Sequence, residues 1–442
     1  MEYLIYRGKI LKCKLLAPAN SDKKQKVLRV TNIFCIFVPN TNNMDSLFIK
    51  HDRYIAKTPT TIIRNEMNII NWGSRLISIM GAKGVGKSTL IRQYVKTHFV
   101  LGDRSVLYCS ADSVYFSTHS LVDLAGSFVM NGGELLIIDE VHKYQQWSSE
   151  IKEIYELYPE LRLIISGSSL LQLLEGDADL SRRCVKYTMQ GLSFREYLRF
   201  SHNLSFEALT FEDILKNAYT FCADVTSKCK PIKLFKDYLK MGYYPFYLEG
   251  QEDYYTKIEQ VVNYIIEVEL PIVCKINVAN IRKIKALVQT VSRSVPFEVD
   301  AKKLAGAIEC SRDTVIEYIN DLAHADVFNL LYSEKKSIGK LTRPDKIYLE
   351  NPNLLYALSP AEVEIGTARE TFAICHLSKG NDVEYGKSSG DFKVNSKYIL
   401  EIGGPNKDFS QIAGIKDSYV FADDIESPQG AKLPLWLLGF LY

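Results

Sequence analysis

Apolar residues in the first half of this chain come in short continuous runs rather than in strict alternation. Leu76-Ile77-Ser78-Ile79-Met80 is one such run, and 106–109, 135–138 and 163–166 are others. Continuous apolar strands imply a sheet covered on both faces. After the first run the spacing turns helical, with Leu90, Ile91, Tyr94 and Val95 on one side of 88–99. Strands interleaved with helices predict an α/β fold with a parallel sheet over 44–205. Residues 206–296 carry mostly helical spacing, broken at Gly242-Tyr243-Tyr244-Pro245, and Pro296 marks the next boundary. Residues 297–358 read as a short helical unit ending in the strand Lys346-Ile347-Tyr348-Leu349. Residues 359–442 read as a helix, a hairpin-like stretch and short strands ending at 435–441.

Residues 1–43 stand apart. They hold eight Lys or Arg (Arg7, Lys9, Lys12, Lys14, Lys23, Lys24, Lys26, Arg29) against Glu2 and Asp22, with no sustained periodicity. A disordered leader is expected there, or translated sequence upstream of a start at Met44.

Composition adds limits. At 442 residues the chain exceeds one ordinary domain. Its 54 basic and 52 acidic residues leave a net charge of +2, so nothing global draws it to nucleic acid or anionic membrane. No run of 18 apolar residues is present, and no membrane span is expected. The nine cysteines show no C-x-x-C or zinc-ligand spacing, which points to reduced thiols and a cytoplasmic setting.

The chemistry begins at Gly81-Ala82-Lys83-Gly84-Val85-Gly86-Lys87-Ser88, a Walker A pattern after an apolar strand and before an amphipathic helix. Glycines let the backbone curl until several N–H groups face a phosphate, and the helix N-terminus adds partial positive charge. ATP is the expected ligand, bound by 81–88 and the adjoining Thr89. Lys87 would bridge the β- and γ-phosphates, and the Ser88 hydroxyl would ligate Mg²⁺. Some fifty residues on, Leu135-Leu136-Ile137-Ile138-Asp139-Glu140 is an apolar strand ending in two acids. Asp139 is the expected second magnesium residue, and Glu140 the group that orients the attacking water. A third strand ends in Ser166-Gly167-Ser168-Ser169. One of these serines, with Ser168 as the candidate, would sense the γ-phosphate or the attacking water; the alternative is capping of a helix starting near Leu170. Arg182 and Arg183 follow, and a guanidinium there would stabilise transition-state charge in its own or a neighbouring subunit's site, or form a surface ion pair.

Asp139-Glu140-Val141-His142-Lys143 with Trp147, Ile165-Ser166-Gly167-Ser168-Ser169, Leu192-Ser193-Phe194-Arg195-Glu196-Tyr197 and the tail from Leu433 to Tyr442 together resemble a set of uncharacterised bacterial and archaeal AAA-type ATPases. The resemblance covers about residues 44–442. It implies an AAA-like core, a winged-helix unit and a nuclease-like C-terminal fold. It also gives Arg183 the place of the family arginine, while Arg182 replaces a usual glycine and Gly191 a usual proline.

Residues 304–308 and 310–319 read as helix–turn–helix, with Ser311 as a cap and a basic stretch over 335–346. The second helix carries Asp313, Glu317 and Asp321 beside Arg312, so a structural or protein-contact role is favoured over nucleic acid. Asp391 and Glu401 flank a candidate hairpin, with Glu370 upstream, as in PD-(D/E)xK nucleases. Gly403 occupies the expected lysine position, leaving Lys407 or Lys397 to migrate, so a degenerate domain without nuclease activity is expected. The whole reads as a Mg-dependent ATPase coupled to an unknown partner or a conformational change, with a protein contact through its C-terminal half and assembly into an oligomer both open. The alternatives are a nucleotide-gated switch with negligible turnover, or a DNA-binding ATPase.

Overall fold

The computed structural model describes residues 43–442 except 171–179, 181, 299, 334–342, 362 and 388, together with four short strands before residue 43. Those strands pair two by two, Glu2–Tyr6 with Lys9–Cys13 and Val27–Val30 with Ile33–Ile36, where an unstructured leader was expected. A lone two-stranded hairpin is marginal in water, so these ladders do not by themselves make a folded unit. The rest of that segment lies outside the described residues.

The first layered unit is built on β1 (Leu76–Met80), β2 (Val106–Ser110), β3 (Leu135–Asp139), β4 (Arg162–Gly167) and β5 (Val185–Thr188). They form one parallel sheet in the order β2-β3-β4-β1-β5. Successive strand residues point to opposite faces, so a sheet packed on both sides needs unbroken apolar runs. Leu107, Leu136, Ile138, Leu163 and Ile165 meet α1 (Asn43–Lys57), α3 (Leu121–Met130) and α4 (Trp147–Leu157) on one face. Ile77, Ile79, Tyr108, Ile137 and Ile164 meet Leu90, Ile91, Tyr94 and Val95 of α2 (Lys87–His98) on the other. The connection from β1 to β2 skips two strands, so β4 lies between β1 and β3. That crossover opens a crevice at the C-terminal ends of the strands, where α/β sheets take their ligands.

The second half shares one continuous core. It includes α5 (Phe194–His202), α6 (Phe211–Lys228), α7 (Pro231–Lys240), α8 (Tyr254–Tyr264) and α9 (Ile281–Ser292). It continues through α10 (Ala301–Ile308) and α11 (Arg312–His324), which pack with an antiparallel sheet of β6 (Phe297–Glu298), β7 (Phe328–Leu331) and β8 (Lys346–Leu349). Most of the basic stretch over 335–346 lies outside the described residues. The last unit sets α12 (Ile365–Leu377) against β9 (Val383–Tyr385), β10 (Phe392–Val394), β11 (Tyr398–Gly403), β12 (Ser418–Ala422) and β13 (Lys432–Pro434). Pairing is antiparallel from β9 to β11 and parallel from β11 to β13. The predicted hairpin turns through Asn395 and Ser396, both with left-handed backbone.

Packing moves one expected boundary. Helix α5 falls within 44–205, yet its apolar face joins the second core. Phe194 stacks edge-on against Phe235 and Phe440, and a Cβ at Gly439 would sit 2.4 Å from the Phe194 Cβ, so only glycine permits that approach. The helix is secured by a capping box between Ser193 and Glu196 and by Arg195, whose Nε donates to the Tyr442 carbonyl at 2.9 Å. Among the described residues no helix is long and apolar enough to cross a membrane.

Candidate nucleotide site

The loop after β1 can take its shape only because glycines sit where the backbone turns left-handed. Gly86 has φ 101° and caps α2, and Gly81 has φ 149° with a would-be Cβ 2.1 Å from the Met189 carbonyl oxygen. The loop and α2 then form one wall of a cavity of about 700 Å³, lined by Lys83, Gly84, Val85, Gly86, Lys87, Ser88 and Thr89. Asp139, Glu140 and Ser168 line it from the ends of β3 and β4. Ile62, Phe200, Pro245, Phe246 and Leu248 supply an apolar side. Among the predicted residues, Gly81, Ala82 and Arg183 do not line this cavity.

Lys87 is folded back on its own loop: Nζ donates to the carbonyls of Gly81 at 2.7 Å and Ala82 at 2.8 Å. Burial lowers its pKa, opposed by the charge of Asp139. Asp139, at the buried end of β3, accepts hydrogen bonds from Tyr108 Oη and Ser166 Oγ. Glu140 follows with φ 52°, a left-handed backbone that costs a non-glycine residue of order 1 kcal/mol or more. Its carboxylate pairs with Lys143 and, at 3.7 Å, with Lys83. Lys143 also reaches Asp112 at 2.9 Å. Burial works against the Lys143 charge, but the bonds from Glu140 and Asp112 win and its pKa rises.

Two of the three serines separate by role. Ser166 binds Asp139, while Ser168 Oγ donates to Glu269 Oε2 at 2.6 Å. Residues 171–179, where the alternative helix cap would have its helix, lie outside the described residues. Arg183 is placed elsewhere. It precedes β5 at the amino end of the sheet, the end opposite the loop, and its guanidinium pairs with Glu156 at 3.1 Å. A role in its own chain's cavity is therefore set aside; Arg182 is exposed in the same turn.

Sequence reasoning missed four participants. Arg64, from the segment before β1, is buried and binds Glu196 Oε1 at 2.7 Å, Glu66 Oε1 at 3.0 Å and the Val85 carbonyl of the phosphate loop at 3.1 Å. His142 and Tyr108 brace the strand ends. Glu269 arrives from the helical region, 101 positions after Ser168. His142 stands in the Asp139–Lys143 motif without a role being assigned to it; Arg64, Tyr108 and Glu269 lie in no motif, and only a charged residue amid apolar neighbours, as at Ile265-Ile266-Glu267-Val268-Glu269-Leu270, hinted at burial.

Residues 73–198 match the family model described as an AAA domain. This part of the chain is similar to an AAA domain, and its five-stranded parallel sheet agrees with a P-loop fold. Over 404 residues the chain is 28% identical to an uncharacterized protein of Methanocaldococcus jannaschii, covering 81% of this chain and 85% of that one. Among solved structures it is similar to the Hsp104–ADP complex of S. cerevisiae (16% identity, TM-score 0.30, 63% of this chain) and to AMPPCP-bound DnaA from Aquifex aeolicus (18%, 0.23, 58%). The matched part spans 43% of the Hsp104 chain and 84% of the DnaA chain.

The C-terminal carboxylates form a second cluster. Asp391 Oδ2 accepts the Ile402 N–H at 2.8 Å, Glu370 accepts from Tyr348 Oη at 2.8 Å, and Glu401 pairs with Lys407. The Lys407 stem fills the volume a Gly403 side chain would take, 2.6 Å from an ideal Cβ, so the lysine displaced in sequence is adjacent in space. Lys397 instead lies beside Tyr398. Among the described residues no group of three or more His, Cys, Asp or Glu is placed to hold a metal ion.

Burial, with Asp391 nearby, pushes the Glu370 carboxyl up to about 7 from 4.5. Between those values the folded chain binds more protons than the unfolded one, so stability falls as pH rises through that window. Glu370→Gln removes the penalty while keeping an acceptor for Tyr348. At pH 8 it is expected to unfold at higher denaturant than the parent, by roughly 1–3 kcal/mol, with the gap closing near pH 4.5. Equal stability at pH 8 would exclude the effect.

Proposed function

We propose that the chain binds Mg·ATP in the cavity between the 81–89 loop and the ends of β3 and β4, and hydrolyses it. One observation carries this reading: the glycine-shaped loop and the Asp139-Glu140 strand end open on the same cavity although they lie on non-adjacent strands. The donor set fits magnesium, a hard ion held by one or two carboxylates together with phosphate oxygens. Ser88 and Asp139 would hold it, and it would supply charge neutralisation on the phosphates. Lys87 leaves the Gly81 and Ala82 carbonyls to grip the β- and γ-phosphates, while the loop N–H groups and the α2 terminus cradle the β-phosphate. Glu140, released from Lys83 and Lys143, accepts the proton of the attacking water. Ile62, Phe200, Pro245 and Phe246 exclude water around the base.

The ion pairs that occupy Glu140 favour a second reading, a nucleotide-gated switch that turns over slowly. In either case we place a protein partner, rather than nucleic acid, on the C-terminal half, because Asp313 and Glu317 stand exposed on α11. Nuclease activity is not proposed. If Arg183 acts catalytically, it does so in a neighbouring copy of an oligomer.

Lys87→Ala tests the binding step. Its affinity for Mg·ATP, read by calorimetric titration, should fall at least about tenfold, since a charge-assisted contact to phosphate is worth about 1.5–3 kcal/mol. Parent-like affinity would remove the loop from the binding reaction.

A further inference from the structure

Glu269 places a carboxylate in a cavity built to receive the negative charge of a triphosphate. It is 2% exposed, lines the same cavity as Lys87 and Glu140, and accepts the Ser168 Oγ–H at 2.6 Å. Its backbone belongs to a single π-helical stretch, Ile265–Glu269, leading into the helix Leu270–Val273. Such stretches are uncommon and frequently lie at functional sites. Ile265, Ile266 and Leu270 anchor this stretch in the second core, so Glu269 is carried by the C-terminal half and reaches into the first unit.

A second partner stands ready beside it. His142 Nδ1 accepts the Ser168 backbone N–H at 3.4 Å, which puts the proton of the neutral ring on Nε2. Burial lowers the His142 pKa and favours that neutral ring. Yet Nε2 is buried without a hydrogen-bond partner, and it lies 3.9 Å from Glu269 Oε1. A buried donor left unmade costs about 1–3 kcal/mol. The carboxylate therefore has two berths: Ser168 Oγ, which it occupies, and His142 Nε2, within about an ångström of hydrogen-bond distance.

We propose that Glu269 is a positioning residue that senses the γ-phosphate, holding Ser168 until a triphosphate takes that hydroxyl and then passing to His142. The inference rests on the nucleotide site assigned above. A terminal phosphate brings negative charge into the cavity, and the Ser168 hydroxyl turns its proton from one anion to the other. Like charges drive the Glu269 side chain away, toward the unmet Nε2–H. No bond is made or broken beyond these hydrogen bonds. The segment 265–273 moves with its carboxylate, so the C-terminal half receives a signal that a diphosphate, which ends short of Ser168, does not send.

The test compares the full chain and Glu269→Gln for binding of a non-hydrolysable ATP analogue and of ADP, each with Mg²⁺. Gln keeps the shape but removes the charge, so Ser168 is held less tightly. The analogue should bind about tenfold tighter, about 1.4 kcal/mol, with ADP affinity unchanged within about twofold. A purely structural role would move both nucleotides together. In the parent, amide exchange over 265–273 should rise with the analogue and not with ADP, a readout that needs no variant. A parent that binds neither nucleotide overturns the assigned site and this inference with it. A parent that binds both, with an unchanged affinity ratio in the variant or identical exchange with the two nucleotides, overturns the inference alone.

Discussion

Glu140→Gln should lower the ATP turnover of the full chain about a hundredfold or more while Mg·ATP affinity stays within about threefold of the parent. Gln has the same reach and the same acceptor oxygen, so it can still orient a water. It cannot take a proton, and general-base catalysis is worth about 10²–10⁴-fold. The structure supplies a reason to expect binding to survive. Glu140 meets the loop only through the long 3.7 Å pair with Lys83, away from Lys87 and Ser88, and Lys143 keeps Asp112 when Glu140 is neutralised. Phosphate release in steady state gives the rate, and equilibrium titration gives the affinity. Parent-like turnover would take the water-activating role away from Glu140, and a parent with no turnover to lose would leave the switch reading in possession.

The second large effect concerns stability. Arg64→Met should cost about 3–5 kcal/mol, because it strands a buried carboxylate rather than merely losing a pair. Glu196 is 1% exposed, and Arg64 is its cationic partner at 2.7 Å. The same guanidinium donates to the carbonyls of Val85, Gln190 and Gly191. Met fills much of the volume and removes all of these donors. Adding Glu196→Gln should recover part of the loss, since the more buried of the two stranded carboxylates is then neutral while Glu66 stays unpaired with Arg64, although Ser193 loses a charged partner in its capping box. Denaturant midpoints of the parent, the single variant and the double variant check both statements. A single variant within about 1 kcal/mol of the parent would show that the pair is not what secures this junction.

What the sequence discloses divides along physical lines. The sheet, its parallel sense and the glycine loop are local matters. The run from Leu76 to Met80 must be buried on both faces, and Gly86 must tolerate a left-handed backbone, whatever the rest of the chain does. Asp139 and Glu140 were legible because a strand end is a local event too. Glu269 was not, because its meaning comes only from Ser168 and His142, each more than a hundred positions away. Arg183 shows the limit of family position. The resemblance implied a catalytic arginine in its own or a neighbouring site, and strand register puts it at the far end of the sheet beside Glu156, away from its own chain's cavity. The strand–helix alternation carried helix α5 into the sheet unit, but burial of Phe194 against Phe235 and Phe440 joins it to the second core. Lys407 is an intermediate case: its candidacy was readable, and only the void at Gly403 shows that the stem fits.

The contact between α5 and the segment around Phe440 also sets a timetable for synthesis. Arg195 and Tyr442 are 247 positions apart. At about 5–20 residues per second, a ribosome needs roughly 10–50 s between releasing one and making the other. Through that interval the five-stranded sheet can assemble while the apolar face of α5 waits without cover. The nascent chain thus passes through a stage with a formed phosphate loop and an open hydrophobic flank, the kind of surface that chaperones hold. A messenger cut short after α5 would yield a product fixed at that stage, able to curl its glycine loop but lacking Glu269 and the wall at Phe246.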